Sequence, residues 1–361
     1  MKLETIGWTP AWAESFERVT QPAWIPGRII REGKLIYLVQ TGEGALLGEV
    51  SGRYHHLVKA RSDFPVVGDW VAVQALPNER RATIHALLPR QSCFSRKAPG
   101  ETTEEQILAA NVDIAFLVSG LDGGRNLNIR RIERFLPLAS ESGAQTVVLL
   151  NKSDLCNQEA EKLNEVASAF PEVPVHATSA MSKIGLEHIA HYVFEGRTAV
   201  LLGPSGVGKS ALINALIDQA GQTVGEVREK DKRGRHTTTR RELFILPTGG
   251  CIIDTPGLRE IQLWADGDAV NDSFEDILSL SAQCRFRDCR HENEPGCAVQ
   301  QAIAEGQLDL QRYESYQQLR KEVAFLERKK DVRARINHES KWKQIARMQR
   351  QKKVFENKDR M

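Results

Sequence analysis

The most chemically informative part of the 361-residue sequence is a glycine-rich octapeptide. Its residues are Gly203, Pro204, Ser205, Gly206, Val207, Gly208, Lys209 and Ser210, and Ala211 follows. The pattern G-x-x-x-x-G-K-S is that of a phosphate loop, in which glycines let successive backbone N–H groups point at phosphate oxygens. The lysine of such a loop bridges the terminal phosphates, and the serine hydroxyl binds Mg²⁺. The segment predicts a nucleoside triphosphate site, with Lys209 as a catalytic residue and Ser210 as a magnesium ligand.

A second motif, N-K-S-D, predicts which base is bound. Its members are Asn151, Lys152, Ser153 and Asp154. The motif follows a strand-like apolar run, and ligands collect at the carboxyl ends of strands in parallel sheets. An aspartate there can accept N1–H and the exocyclic amine of guanine, a donor pair that adenine lacks. We expect Asp154 to bind guanine, Lys152 to cover the ring and Asn151 to tie this loop to the phosphate loop. Ser179 and Ala180, after the next predicted strand, are expected to offer a backbone N–H to guanine O6.

A third motif supplies an acidic partner for magnesium. Residues 254–257 match D-x-x-G, in which the aspartate, here Asp254, holds Mg²⁺ through water and the glycine, Gly257, senses the γ-phosphate. Residues 230–239 are charged, contain glycine and lack an apolar period, so we expect a mobile loop that places a threonine hydroxyl on Mg²⁺. Any of the three threonines at 237–239 could do so, and we favour Thr238.

Three cysteines and one histidine lie close together near the C-terminal end. They are Cys284, Cys289, His291 and Cys297. Three thiolates and an imidazole form the ligand set of a closed structural Zn²⁺ site, which leaves no open position for catalysis. Arginines interleave with these ligands at Arg285, Arg287 and Arg290, where they could face RNA phosphate. The other cysteines, Cys93, Cys156 and Cys251, are expected to be ordinary thiols.

The elements that must position these motifs change character along the chain. Between residues 27 and 89, five short β-prone runs are separated by glycine-containing turns, which fits a small barrel of OB type. An SH3-like barrel would give the same pattern. After residue 90, strands alternate with amphipathic helices, which implies βα units and a parallel sheet. Beyond the cysteines, apolar residues three or four apart from Tyr313 to Leu326 predict a long helix with one buried face.

Composition and charge narrow the class of protein. With 41% hydrophobic and 27% charged residues the chain is typical of globular proteins, and its length requires more than one core. No apolar run approaches the ~20 residues that cross a bilayer, and no secretory signal is visible, so we expect no membrane and a cytoplasmic location. The net charge of +2 hides an asymmetry, because residues 341–361 carry eight basic and two acidic side chains. This basic end favours a nucleic-acid or other anionic partner, although a solvated tail without function is the alternative.

The order of the motifs is unusual, because N-K-S-D and the Ser-Ala pair precede the phosphate loop. In Ras-like GTPases the phosphate loop comes first, so the sequence predicts a circular permutation. This order, with a barrel before it and a cysteine-histidine cluster after it, resembles the RsgA (YjeQ) family of GTPases over nearly the whole chain. The resemblance implies a multidomain protein with an N-terminal OB-type β-barrel (1–95), a central circularly permuted α/β P-loop GTPase domain (96–270) and a C-terminal zinc-binding α-helical domain (271–361).

The same resemblance implies an activity and a partner. It predicts a GTPase that binds GTP and GDP with Mg²⁺, holds one structural Zn²⁺, and hydrolyses GTP with stimulation by the small ribosomal subunit. The small ribosomal subunit and its rRNA are the expected partners, and late subunit maturation is the expected process. A monomer is favoured, because neither a heptad seam nor a long apolar strand edge stands out.

One departure from Ras-like chemistry requires another residue. Leu258 follows the D-x-x-G motif, where a Ras-like enzyme has the glutamine that orients the attacking water. The Gly-x-His-Thr-Thr-Thr motif of the RsgA family is matched by residues 234–239, so His236 is the expected replacement, active when the ribosome orders the loop. An exposed loop histidine without a role is the alternative.

Two other functional classes compete with this interpretation. A GTP-driven signalling or transport regulator would keep the nucleotide domain and use the flanking domains on a protein partner. A pure RNA-binding module with a vestigial nucleotide site would need damaged motifs, and all the motifs are intact.

Overall fold

The computed structural model describes residues 1–33, 36–58, 60–76, 79–97, 105–123, 127–218, 241–247, 249–255, 267–292 and 294–325. Several residues singled out in the sequence therefore lie outside the described residues: His236, Thr238, Gly257, Leu258 and the basic segment 341–361.

The first twenty residues, for which the sequence indicates no role, pack against the rest of the chain. Helix α1 (Pro10–Glu17) begins with proline at its first position, where the missing N–H costs no hydrogen bond. Trp12 on this helix is buried, and Trp8 meets Trp70 edge-on with ring centroids 4.8 Å apart. The extension thus buries aromatic surface that it shares with the neighbouring barrel.

Residues 25–87 form a closed barrel of five strands. They are β1 (Ile25–Glu32), β2 (Ile36–Thr41), β3 (Gly44–Val50), β4 (Trp70–Leu76) and β5 (Arg81–Leu87), with helix α2 (Gly52–Leu57) between β3 and β4. The pairing order is β1-β2-β3-β5-β4 and closes back on β1, with β3 and β5 parallel and the other pairs antiparallel. This closure is that of the OB fold, so the OB prediction is confirmed over the SH3-like alternative.

Side chains that alternate along these strands fill the barrel. The buried set is Ile29, Tyr37, Val39, Val71, Val73, Ala82 and Ile84. Gly48 leaves space for the Val39 side chain in this core, because a Cβ at position 48 would lie 2.8 Å from Cγ2 of Val39. The interior is thus a packed core, and any ligand must use the outside of the barrel.

A hairpin that the sequence analysis missed, β6 (Cys93–Lys97) with β7 (Glu105–Ala110), leads into the α/β unit. The following elements are β8 (Ile114–Gly120), α3 (Ile129–Glu141), β9 (Gln145–Asn151), α4 (Glu159–Ala169), β10 (Val175–Ala177), α5 (Leu186–Tyr192), β11 (Thr198–Leu202), α6 (Lys209–Asp218), β12 (Glu242–Ile245) and β13 (Cys251–Asp254). They confirm the predicted alternation of strands and helices. The strand order is β10-β9-β8-β11-β13-β12, and only β12 runs antiparallel to its neighbour.

The barrel and the α/β unit share one sheet of eleven strands. They are joined where β1 meets β12, with Arg31 opposite Glu242. Nε of Arg31 donates to Oε1 of Glu242 at 3.0 Å, and Nη1 of Arg241 donates to Oε2 of Glu32 at 3.1 Å. Two ion pairs therefore flank the seam between the two domains.

The C-terminal part packs against helix α3. Its helices are α7 (Gly267–Ser273), α8 (Glu275–Ser281), α9 (Ala298–Ala304) and α10 (310–325). Within its described range α10 buries the predicted apolar face, namely Tyr313, Tyr316, Leu319 and Val323. Arg312 on α10 bridges Glu133 of α3 at 3.0 Å and Asp276 of α8 at 2.8 Å. The domain limits that we propose at residues 95 and 270 fall inside β6 and α7.

Within the part of the chain that the structure describes, no helix is long and apolar enough to span a membrane.

A single buried cation links the N-terminal extension, the barrel and the α/β unit. The guanidinium of Arg28 on β1 is 1% exposed and stacks over Trp70 at 5.4 Å. It donates to the carbonyl oxygens of Ile6, Gly68 (3.1 Å) and Asn111 (3.0 Å), which belong to three different segments. Among the described residues, no carboxylate lies within ion-pair distance of Arg28. Backbone carbonyls therefore provide its direct electrostatic compensation.

Replacing Arg28 should destabilise the protein strongly. In Arg28→Met the carbonyls of Ile6 and Asn111 lose their donor, while that of Gly68 keeps the Asn111 amide at 3.1 Å, so we expect the free energy of unfolding to fall by about 3 kcal/mol. Urea unfolding followed by tryptophan fluorescence measures this, because three of the six tryptophans, Trp8, Trp12 and Trp70, pack together at this junction. The control is Arg18→Met, whose pair with Glu14 is solvent-exposed and should contribute less than about 0.5 kcal/mol. Equal unfolding midpoints for the two variants would contradict the linking role of Arg28.

Candidate functional site

The phosphate loop lies between β11 and α6, at the carboxyl edge of the parallel strands. Gly203, Gly206 and Gly208 all have positive φ angles, of 147°, 86° and 95°. A Cβ on Gly203 would lie 2.3 Å from the carbonyl oxygen of Val118, and one on Gly208 would lie 2.3 Å from Nδ2 of Asn151. Backbone conformation therefore favours glycine at all three positions, and close neighbours also require it at 203 and 208.

The polar side chains of the loop converge with the carboxylate at the end of β13. Nζ of Lys209 donates to the carbonyl oxygens of Gly203 at 2.7 Å and Pro204 at 2.8 Å, so the ammonium lies over the loop where terminal phosphates would be bound. Oγ of Ser210 donates to Oδ2 of Asp254 at 3.2 Å. These are two of the three side chains predicted to serve Mg²⁺, the third being Thr238 outside the described residues, and a hydroxyl beside a carboxylate suits that hard cation. Burial raises the pKa of Asp254, an effect that the Ser210 hydrogen bond and the charge of Lys209 oppose.

The N-K-S-D loop follows β9 at the same edge of the sheet, and Asn151 fastens it to its neighbours. Nδ2 of Asn151 donates to the carbonyl oxygen of Val207 in the phosphate loop at 2.8 Å, which is the contact expected from the sequence. Oδ1 of Asn151 accepts from the Ala180 N–H at 3.2 Å and from the Thr178 hydroxyl at 3.4 Å. One buried amide thus holds three loops together.

Asp154 and Ser179 lie side by side in the predicted base-binding region. The Ser179 hydroxyl donates to Oδ1 of Asp154 at 2.5 Å, and Asp154 itself is exposed at the edge of the sheet. The backbone N–H of Ala180 already donates to Asn151, so binding guanine O6 as predicted would require exchange of that 3.2 Å bond. Ser153 is buried, and its N–H donates to the carbonyl oxygen of Thr178 at 3.1 Å, which fixes the turn that carries Asp154.

The cysteine-histidine cluster lies between α8 and α9 and has the geometry of a zinc site. One ligand atom from each of Cys284, Cys289, His291 and Cys297 lies within 4.8 Å of all the others. Sγ of Cys284 is 3.9 Å from Sγ of Cys297 and 3.5 Å from Nδ1 of His291, which is 3.4 Å from Sγ of Cys297. Tetrahedral Zn–S bonds of about 2.3 Å require sulfur atoms about 3.8 Å apart, so these residues fit the ion.

A serine outside the predicted ligand set orients the histidine. Oγ of Ser281 lies 3.0 Å from Nε2 of His291, while Nδ1 faces the cysteines. A hydrogen bond to the far ring nitrogen fixes the tautomer and the ring plane of a metal-binding histidine. Sequence analysis missed Ser281, because a serine three residues before a cysteine belongs to no recognisable motif.

Comparisons with known proteins agree with this architecture. The model of the RsgA GTPase family matches residues 87–264. A second family model, described as 50S ribosome-binding GTPase, matches residues 198–331. That second match begins at the first residue of β11, the strand before the phosphate loop, as expected if the motifs before it have been permuted.

Relatives match nearly the whole chain. The small ribosomal subunit biogenesis GTPase RsgA of Opitutus terrae is 42% identical over 366 residues and covers 99% of both chains. RsgA 1 of Oceanobacillus iheyensis is 42% identical over 324 residues, which are 90% of this chain and 92% of its own.

Two solved structures share the fold. YjeQ from Thermotoga maritima superposes with a TM-score of 0.58 at 26% identity, over 83% of this chain and 99% of its own. The structure of YloQ, described as a circularly permuted GTPase, gives a TM-score of 0.56 at 24% identity, over 85% of this chain and 97% of its own.

The fold and the site together define a circularly permuted P-loop GTPase, with an OB-type barrel before it and a cysteine-histidine cluster after it. Full-length relatives at 42% identity then specify the group, and the chain belongs to the RsgA family of GTPases. Membership of this family implies a guanine nucleotide and Mg²⁺ as the ligands of the site.

Removing the Ser281 hydroxyl should weaken the zinc site. Ser281→Ala leaves all four ligands in place but frees the histidine ring, so we expect zinc affinity to fall roughly 10- to 100-fold. Competition with a chromogenic chelator measures the affinity. Ser279→Ala is the matched control, since Ser279 is exposed on the same helix α8. Affinities equal to that of the control would show that Ser281 does not orient His291.

Proposed function

We propose that this GTPase acts in the cytoplasm, as a monomer, in late maturation of the small ribosomal subunit. It binds the subunit and its rRNA, and hydrolyses GTP to GDP and phosphate when the subunit stimulates it. The observation that carries this proposal is the match over 99% of both chains to a relative named small ribosomal subunit biogenesis GTPase. The joined geometry of the phosphate and N-K-S-D loops supports an active nucleotide site rather than a vestigial one.

Within this proposal each residue of the nucleotide site has one role. Asp154 binds guanine, and Ser179 holds its carboxylate in place. Ser210, Asp254 and Thr238 serve Mg²⁺, and Lys209 neutralises charge that develops on the phosphates. Gly257 senses the γ-phosphate through its N–H, and His236 orients the attacking water.

Exposed positive charge on both flanking domains supports RNA as the partner. Arg285, Arg287 and Arg290 are exposed on the loop that carries the zinc ligands, and one structural Zn²⁺ would keep that loop rigid. On the barrel, Arg53 and Arg61 are exposed on and after α2. Guanidinium groups on rigid supports suit the phosphate backbone of RNA.

The guanine assignment predicts a change of base preference. In Asp154→Asn one carboxylate oxygen becomes an amide donor that faces the N1–H and N2 amine of guanine, so affinity for GDP should fall at least roughly 100-fold. Xanthine has a carbonyl in place of that amine, and XDP should therefore bind the variant better than GDP does. Competition against a fluorescent nucleotide measures both affinities. Unchanged GDP affinity would overturn the assignment of Asp154.

The catalytic proposal is tested by turnover of GTP with and without purified small ribosomal subunits. The native protein should be stimulated, and His236→Ala should lose that stimulated rate by at least roughly 100-fold while GTP affinity stays nearly constant. His191→Ala, an exposed histidine on α5, is the control and should behave as the native protein. Full stimulation of His236→Ala would remove that residue from the mechanism.

Absence of stimulation in the native protein would instead favour a regulator with a protein partner. Salt adds a second discriminating measurement, since binding through RNA phosphates weakens steeply as salt concentration rises.

A further inference from the structure

The lysine of the N-K-S-D motif adopts an unusual backbone conformation. Lys152 has φ 64° and ψ 36°, in the left-handed region that non-glycine residues seldom occupy. Such a conformation persists only where surrounding contacts fix it. The Asn151 amide fixes the preceding residue, and the turn at Ser153 fixes the following one. The lysine side chain needs a further constraint if its stem is to stay across a base.

An acidic side chain just after the neighbouring strand β8 supplies that constraint. Oδ2 of Asp122 lies 2.6 Å from Nζ of Lys152. The side chains of Lys152 and Asp122 are 26% and 18% exposed, so water screens this pair less than it screens a surface pair. The pair is thus suited to restrict the ammonium to one position.

The backbone of Asp122 is itself held against the motif. Gly120, the last residue of β8, lies opposite Asn151 in the parallel pairing of β8 and β9. The N–H of the next residue, buried Leu121, donates to the carbonyl oxygen of Asn151 at 2.8 Å. The backbone just before Asp122 is therefore held by Asn151, the same residue that contacts the phosphate loop.

We propose that Asp122 is a positioning residue for guanine nucleotides, which holds the Lys152 ammonium so that the lysine stem lies across the base beside Asp154. Asp122 itself does not contact the nucleotide and acts on it only through Lys152. The inference rests on the proposed role of the N-K-S-D motif, which the Asp154→Asn variant tests separately. GTP and GDP should depend on Asp122 equally, because the contact lies at the base and not at the γ-phosphate.

The experiment is a double-mutant cycle on the full-length protein, read out by the affinity for fluorescent GDP. Asp122→Ala should weaken binding about tenfold, and Asp122→Asn, which keeps the shape but loses the charge, should fall between it and the native protein. In a Lys152→Ala background, Asp122→Ala should have no further effect. In GTP turnover, Asp122→Ala should raise KM about tenfold and leave kcat within about twofold.

Matched controls separate positioning from folding. Glu165→Ala removes the carboxylate of another lysine pair, Lys162 with Glu165 at 2.7 Å on α4, and should not change GDP affinity. Thermal unfolding without nucleotide should be the same for Asp122→Asn and the native protein.

Three results would overturn the proposal. They are unchanged GDP affinity in Asp122→Ala and Asp122→Asn, the same fold-loss in native and Lys152→Ala backgrounds, or a loss of affinity matched by a loss of thermal stability in Asp122→Asn. If GDP affinity withstands Asp154→Asn but falls in Asp122→Ala, the guanine assignment fails while the Asp122–Lys152 coupling stands.

Discussion

The relative placement of three segments depends on one buried positive charge. A guanidinium taken out of water is costly unless its donors are satisfied, and Arg28 finds acceptors only where Ile6, Gly68 and Asn111 bring their carbonyl oxygens together. The N-terminal extension, the barrel and the entry to β8 must therefore meet in one arrangement. Trp70 seals this junction by stacking on the same group.

The arrangement brings the barrel close to Asp254 at the nucleotide site. Glu242 on β12 lies between Arg31 of the barrel and Asp254 of the D-x-x-G motif, since it is paired with both residues across the sheet. Its negative charge contributes to the raised pKa of Asp254, and its ion pair with Arg31 offsets that charge. On the C-terminal side, α3 and α10 are joined by the ion pair of Arg312 with buried Glu133 and by the pair of Arg134 with Glu322. Both flanking domains are thus connected to the nucleotide domain by charged contacts as well as by apolar packing.

Sequence analysis predicted the parts whose chemistry imposes a local pattern. Phosphate, guanine and zinc each demand particular residues at short spacing, so the loops at 203–210, 151–154 and 284–297 were recognisable without a structure. Strand and helix positions followed from hydrophobic period, and the OB assignment needed only the pairing order to separate it from an SH3-like barrel. Arg28, Asp122 and Ser281 escaped prediction, because each acts on a residue that folding alone brings near, at separations from ten to more than eighty positions. The β6–β7 hairpin escaped because its strands carry polar residues where a simple alternation would place apolar ones.

The seam between β1 and β12 has a consequence for how the chain assembles. The barrel is built from pairings within residues 25–87, so it can close while the ribosome is still synthesising the remainder. Its junction with the α/β sheet, however, joins residues 31 and 242, and that contact must wait until two thirds of the chain has been made. Contacts between such distant positions form late and slowly, because the entropy cost of closing a long loop comes before the contacts can stabilise the chain. Until then only the end of β1 near Arg31, beyond the residues that pair with β4, is open to other strands, and this interval exposes that end to mispairing.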